Sequence, residues 1–292
     1  MKTRLLFCLI AISQLAAAQV TLKFNPDKGS KYSYQAIATQ EIKMNVGQPV
    51  EINQNTDILM DMIVEDKASE EAKVSFVYKN VGFFIQSPMM PAINYNSSEA
   101  PAENPSPIEA IFAKMFGTLI NKSITATITS KGEVTAVEGA EVLMKTLTEA
   151  GGNNEMLQAF TNQYSEEFLK KSFEQSLKVY PDKPVKTGDS WLSTISIPTP
   201  MAEFGGDATY TLKSVDNKNA YVDVTSNIKM QSDEMTEQSI PINISGSQSG
   251  TMVLELKTGI ISSMEVLQNL SGTISGNSVE MKTLSKLSIE KK

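Results

Sequence analysis

The chain has 292 residues, a formal net charge of −7 and a pI near 4.9, which suits one large domain or two modest ones with ample core. It contains no His, its single Cys is Cys8, and its lone Arg is Arg4. Beyond the first eighteen residues there is therefore no Ser-His-Asp triad, no Cys nucleophile, no His or Cys zinc site and no bidentate arginine clamp.

Those eighteen residues read as a secretory signal peptide. Lys2 and Arg4 precede an apolar stretch from Leu5 to Leu15, and Ala16-Ala17-Ala18 puts small residues at −3 and −1 before Gln19. The stretch is too short to span a bilayer. Phe7 stands where a lipobox needs a small residue, so Cys8 is not expected to carry lipid. Cleavage after Ala18 leaves 24 lysines against 33 acidic residues, a charge of −9. The expected location is periplasmic or secreted. An acidic chain without Arg is a poor partner for nucleic acid or anionic lipid head groups.

Residues 31–46, 50–66 and 71–85 alternate with a period of two: Tyr32, Tyr34, Ala36; Ile58, Met60, Met62, Val64; Val74, Phe76, Tyr78. Such a meander gives a sheet with one buried and one wet face. Pro88, Pro91, Pro101, Pro105 and Pro107 then predict irregular chain over 86–107. A helix follows, with Ser106 as N-cap, Pro107 at its first position and Ile108, Ile111, Phe112, Met115, Phe116 and Leu119 along one face. Residues 123–129 and 133–137 predict a hairpin around Lys131-Gly132. Residues 138–150 and 154–180 predict helices, with Ser165-Glu166-Glu167 starting a second piece of the later one. From Pro181 strands return over 189–197, 207–215, 219–230, 236–245, 247–257, 260–270 and 276–290.

Three turn-and-strand signals recur in the same order in both halves. Pro26-Asp27-Lys28-Gly29-Ser30 matches Pro181-Asp182-Lys183 with Gly188-Asp189-Ser190. Val64-Glu65-Asp66 matches Val215-Asp216. Lys131-Gly132 matches Thr258-Gly259. The expectation is a duplicated β unit, with 86–121 inserted in the first copy only. The organisation is then a signal peptide (1–18), an N-terminal β unit (19–137), a helical segment (138–180) and a C-terminal β unit (181–292). In fold class this is α+β, predominantly β: two related curved antiparallel units with the helical middle packed on them.

The run Phe173-Glu174-Gln175-Ser176, followed by Tyr180-Pro181-Asp182-Lys183-Pro184-Val185-Lys186-Thr187-Gly188-Asp189-Ser190-Trp191, is similar to the signature of an uncharacterised family of Bacteroidota-type secreted proteins, domain of unknown function 6263. Lys28 to Tyr34, Lys114-Met115-Phe116 and Ser130 to Val134 support the resemblance. It implies an envelope or secreted location and brings no activity and no catalytic residues.

Carboxylates are the remaining catalytic currency. The adjacent pairs Glu65-Asp66, Glu70-Glu71 and Glu166-Glu167 fall in predicted turns or helix starts, where solvation or the helix dipole favours acids. No D-x-D-x-D-G calcium loop is present, and Asp216-Asn217-Lys218-Asn219 reads as a hairpin turn. No enzyme activity, metal or cofactor is expected. Trp191 is an anchor for the core or for a partner. Fourteen methionines follow the signal segment, several on strand faces: Met60, Met62, Met230, Met252, Met264 and Met281. Soft side chains of this kind adapt to apolar ligands as well as filling cores. The expectation is a non-enzymatic envelope binding protein for an apolar or lipid-like molecule, with a pocket near 86–119 and Met89, Met90, Phe112, Met115, Phe116 and Trp191 as candidate ligand contacts. The alternative is a structural or protein-interaction component of the envelope; a carboxylate-dependent hydrolase ranks last.

Overall fold

The computed structural model describes residues 19–100, 103–151, 161–198, 203–231 and 241–292. The first half supplies β1 (Lys31–Asn45), β2 (Pro49–Lys67), β3 (Glu71–Ser87), β4 (Met90–Asn96), helix α1 (Pro107–Leu119), β5 (Ser123–Thr129), β6 (Val134–Glu138) and α2 (Ala140–Gly151). A short 3-10 turn (Asn162–Tyr164) leads to α3 (Glu166–Leu177). The rest is β7 (Ser190–Pro198), β8 (Glu203–Val215), β9 (Asn219–Gln231), β10 (Ile242–Glu255), β11 (Ile261–Ile274) and β12 (Asn277–Lys291).

The twelve described strands join one unclosed antiparallel sheet in the order β6-β5-β3-β2-β1-β12-β11-β10-β9-β8-β7, with β4 beside β3. The two β units expected from sequence are therefore not separate sheets. Strand β1 pairs with β12 from Tyr32↔Lys291 to Met44↔Val279 and welds the two meanders along their full length. The period of two shows plainly in β10. Ile244, Met252 and Leu254 are buried, while the intervening Asn243, Ser245, Ser247, Ser249 and Thr251 are exposed. One face is solvated and the other carries the core.

Helix α1 begins as its sequence dictates. The Glu109 N–H donates to Ser106 Oγ (3.3 Å), the Ser106 N–H donates to Glu109 Oε2 (2.8 Å), and Pro107 occupies the first turn. This reciprocal cap satisfies two otherwise orphaned amides. Its buried stripe Phe112, Met115, Phe116, Leu119 lies on the inner face of β3 and β4, where Phe83 stacks on Phe112 (5.5 Å) and Tyr95 on Phe116 (5.5 Å). Each such side chain contributes about 1.5–3 kcal/mol on burial.

Helix α3 takes a different place. It packs against both β6 and β7, the strands at the two ends of the sheet's main path. The buried Val134 N–H of β6 donates to Glu174 Oε1 (3.1 Å). On the opposite side Ser193 of β7 donates to the Lys178 carbonyl (2.8 Å) and the Trp191 indole N–H to the Val179 carbonyl (2.9 Å). Lys171 bridges to Glu203 of β8 (2.7 Å), which Ser196 also bonds (2.5 Å). Phe173 stacks on Phe76 of β3 at 4.8 Å. The sheet curls until its two edges flank one helix, and the helix occupies the gap.

The segment before β1 is built into the same region. Val20 exchanges both backbone hydrogen bonds with Val185, the Phe24 N–H donates to the Ser130 carbonyl (2.9 Å), and the Asn25 N–H donates to the Thr258 carbonyl (2.7 Å). Leu22 and Phe24 are buried.

Two expectations need correction. The region 86–107 is not wholly irregular: β4 forms in spite of Pro88 and Pro91, because Pro91 is exposed beside a register shift between Ile85 and Ser87, where a missing N–H costs least. Nor do 236–245 and 247–257 form two strands broken at Gly246. From Ile242 a single strand runs through Gly246, whose missing side chain lets Asn269 O of β11 come within 1.9 Å of the Cβ position; residues 236–240 lie outside the described residues. Residues 154–160 of the helix expected over 154–180 also lie outside them, as does Pro101.

Gly259 has φ +69° with the Lys23 carbonyl oxygen 1.9 Å from its Cβ position, so side-chain strain and a backbone clash coincide there. Gly259→Ala is expected to lower unfolding free energy by about 1–3 kcal/mol or more, measured as the urea midpoint. Glu174→Ala leaves the buried Val134 N–H unbonded and is expected to cost about 1–3 kcal/mol in the same assay, with Glu174→Gln recovering most of the loss.

Candidate functional site

Directly opposed residues of antiparallel strands share a face, so the inner face can be followed from strand to strand. Helix α1 covers it at β3 and β4. Across β7 to β12 and β1 the described residues leave a cavity of about 330 Å³ beside α3. Its apolar wall is formed by Ile195 and Ile197 (β7), Tyr210 (β8), Val224 (β9), Met252 (β10), Met264 and Val266 (β11) and Val179 after α3. Its polar lining is Gln40, Gln248, Gln268, Thr283 and Ser285 from the sheet, with Gln175 and Ser176 from α3. Among the described residues no Asp, Glu or Lys lines it.

A narrower apolar cleft of about 20 Å³ continues along the same inner face. It is lined by Tyr34, Met62, Phe76, Ile261, Leu287 and Ile289 of the sheet and by Phe173 and Leu177 of α3. Ser176 borders both spaces. Burial pushes the Tyr34 and Tyr210 hydroxyls up to about 12, so both are neutral at ordinary pH.

The six residues expected as ligand contacts are not brought together. Phe112, Met115 and Phe116 are buried in the aromatic cluster with Phe83 and Tyr95. Met89 is 68% exposed at the tip of the β3–β4 turn, and Met90 is partly buried against the core. Trp191 stands opposite Tyr210 and stacks on it at 5.8 Å, beside the cavity lining. None of the six lines the 330 Å³ cavity. Their helical spacing marks an inward face, and the inner side of β3 and β4 is what it meets. Of the strand-face methionines, Met252 and Met264 do line the cavity. The glutamines were missed, although Gln40, Gln248 and Gln268 each stand where the strand period calls for an inward side chain.

Among the described residues no group of three or more acidic side chains could hold a metal ion, and no helix is long and apolar enough to cross a membrane. The Asp216 carboxylate accepts from the Lys218 and Asn219 amides and from the Tyr221 hydroxyl, and these bonds hold it below the usual range. It serves the β8–β9 turn.

A family model matches residues 69–261, well over half of the chain. The chain belongs to the family of unknown function DUF6263. The matched span runs from the turn before β3 to the first residue of β11 and contains the cavity walls of β7 to β9, helices α1, α2 and α3 and the Pro181–Trp191 run. No curated protein matches. Among solved structures, lipovitellin, from a study of its lipid-protein interactions, aligns with 90% of this chain at 9% identity and a TM-score of 0.48. The chain spans 25% of lipovitellin's length. An outer membrane channel from Pseudomonas putida F1 aligns at 8% identity and a TM-score of 0.28, over 91% of this chain and 97% of the channel. The attachment invasion locus protein Ail of Yersinia pestis gives 5% identity and a TM-score of 0.20, over 90% of this chain and 99% of Ail. At these scores the likenesses carry no argument about fold or activity.

Raised tyrosine values make stability depend on alkaline pH. A hydroxyl that ionises near pH 10 in the unfolded chain and near 12 in the fold contributes stability that is complete below about pH 10 and is lost as pH rises toward about 12. The urea midpoint is expected to fall across that window. Tyr34→Phe should flatten the fall if Tyr34 carries its share of it.

Proposed function

We propose that this protein is a non-enzymatic binding protein of the cell envelope that holds an apolar or lipid-like ligand between the inner face of its sheet and α3. The observation that carries this reading is the cavity of about 330 Å³, which falls within the size range of small-molecule sites and is walled by Met252, Met264, Val266, Ile195 and Ile197. Methionine side chains suit such a wall because they adjust to the shape of an apolar occupant. Export after cleavage at Ala18 is part of the proposal. It is supported by the charged, apolar and small-residue layout of 1–18.

The two meanders are proposed as related units. The Ser130 and Thr258 carbonyls, which accept from consecutive amides at Phe24 and Asn25, belong to the two turns matched in the sequence repeat.

The test is native mass spectrometry of residues 19–292 purified from the host's own envelope, with lipid analysis of the solvent extract. A stoichiometric apolar adduct is expected. The double variant Val224→Phe with Val266→Phe narrows the cavity and should lose the adduct while keeping its circular dichroism. A clean unliganded mass for the unsubstituted protein would overturn the reading and turn attention to protein partners.

A further inference from the structure

The inner face is apolar toward both ends of its strands and carries one unbroken polar row between them. Gln54 of β2 stands opposite Gln40 of β1, and Gln40 stands opposite Thr283 of β12. Thr283 opposes Gln268 of β11, Gln268 opposes Gln248 of β10, and Gln248 opposes Ser226 of β9. Six adjacent strands thus place six uncharged polar side chains in register. Four residues along from Gln248 and Gln268 stand Met252 and Met264, which face each other. Gln40, Thr283, Gln268 and Gln248 of the row line the same cavity as these methionines.

Within the row Gln40 Nε2 donates to Thr283 Oγ1 (3.1 Å). Among the described residues, the side-chain amides of Gln248 and Gln268 make no hydrogen bond within the protein. Each therefore offers two N–H donors and one carbonyl acceptor to whatever occupies the cavity. Leucine at either position would enlarge the apolar wall at no desolvation cost, whereas an amide there needs a partner. Among the described lining residues a carboxylate or phosphate head would find no lysine, and an ammonium head would find no carboxylate. Either charge would lose hydration without a counter-charge.

Resting on the binding reading above, we infer that the ligand is a neutral amphiphile whose uncharged amide, ester or hydroxyl head is held by Gln248, Gln268 and the Gln40–Thr283 pair. Its apolar chain lies along Val224, Val266, Met252 and Met264 toward the cleft at Leu287.

The chain's single tryptophan, Trp191, stacks on Tyr210 of the cavity wall and reports occupancy without a label. Purified residues 19–292, stripped of lipid, are titrated with decanamide, 1-decanoylglycerol, decanoate and decylamine at a mildly alkaline pH where decanoate and decylamine are charged. The two neutral ligands are expected to bind roughly tenfold more tightly than either charged one. Gln248→Leu with Gln268→Leu should remove that preference, weakening the neutral ligands about tenfold and leaving decanoate unchanged. Gln268→Glu should turn the preference toward decylamine. The urea midpoint of each variant confirms that it is folded. Equal affinities across the four ligands, or tighter binding of decanoate, would overturn the neutral-head inference and leave the apolar site standing. Failure of all four to bind would count against the binding reading itself and would take this inference with it.

Discussion

An antiparallel sheet that curls without closing has two edges, each a row of unpaired amides and carbonyls, and the rest of this molecule depends on how those edges are covered. Edges of this kind invite pairing with other chains. Here the Val134 amide of one edge strand binds the Glu174 carboxylate, while Ser193 and Trp191 of the other bind the Lys178 and Val179 carbonyls at the end of the same helix. A helix has no ladder to offer, so side chains and its free terminal carbonyls do the work that a thirteenth strand would do in a barrel. The curvature, the interior and the cavity follow from a gap one helix wide.

The segment before β1 completes that arrangement at one end. Its backbone bonds to Val185, Ser130 and Thr258 reach the start of the β7 region, the β5–β6 turn and the β10–β11 turn. Tyr180, just beyond α3, adds a buried hydroxyl bond to the Gly259 carbonyl (2.7 Å). Elements far apart in sequence therefore meet where the two meanders turn. That explains why a glycine at 259 sits in a conformation and at a distance that no side chain tolerates.

Much of the fold was legible in the sequence. Alternation in β1 to β3 marks a half-buried sheet, and Ser106 with Pro107 marks the start of α1. The misreadings have a common physical source: local signals were overruled by neighbours in space. Pro91 suggests a loop, yet an exposed outer strand tolerates a missing amide. Gly246 suggests a break, yet the backbone of β11 lies against it. The apolar stripe of α1 fits a ligand wall or a core equally well, and only the position of Phe83 and Tyr95 decides between them.

The cavity was less legible for a deeper reason. A glutamine at one inward position of one strand is an unremarkable residue, and Gln40, Gln248 and Gln268 lie in strands far apart in the chain. They form a row only because β1 pairs with β12 in one register and because β10, β11 and β12 keep theirs through short turns. A shift of one residue at any of these pairings would turn one glutamine to the solvated face and bring an outward residue in its place. The polar row is therefore a property of register, which the pairing of whole strands determines. The apolar wall is a property of composition, which single strands already display. That difference is why methionines could be singled out from sequence and glutamines could not.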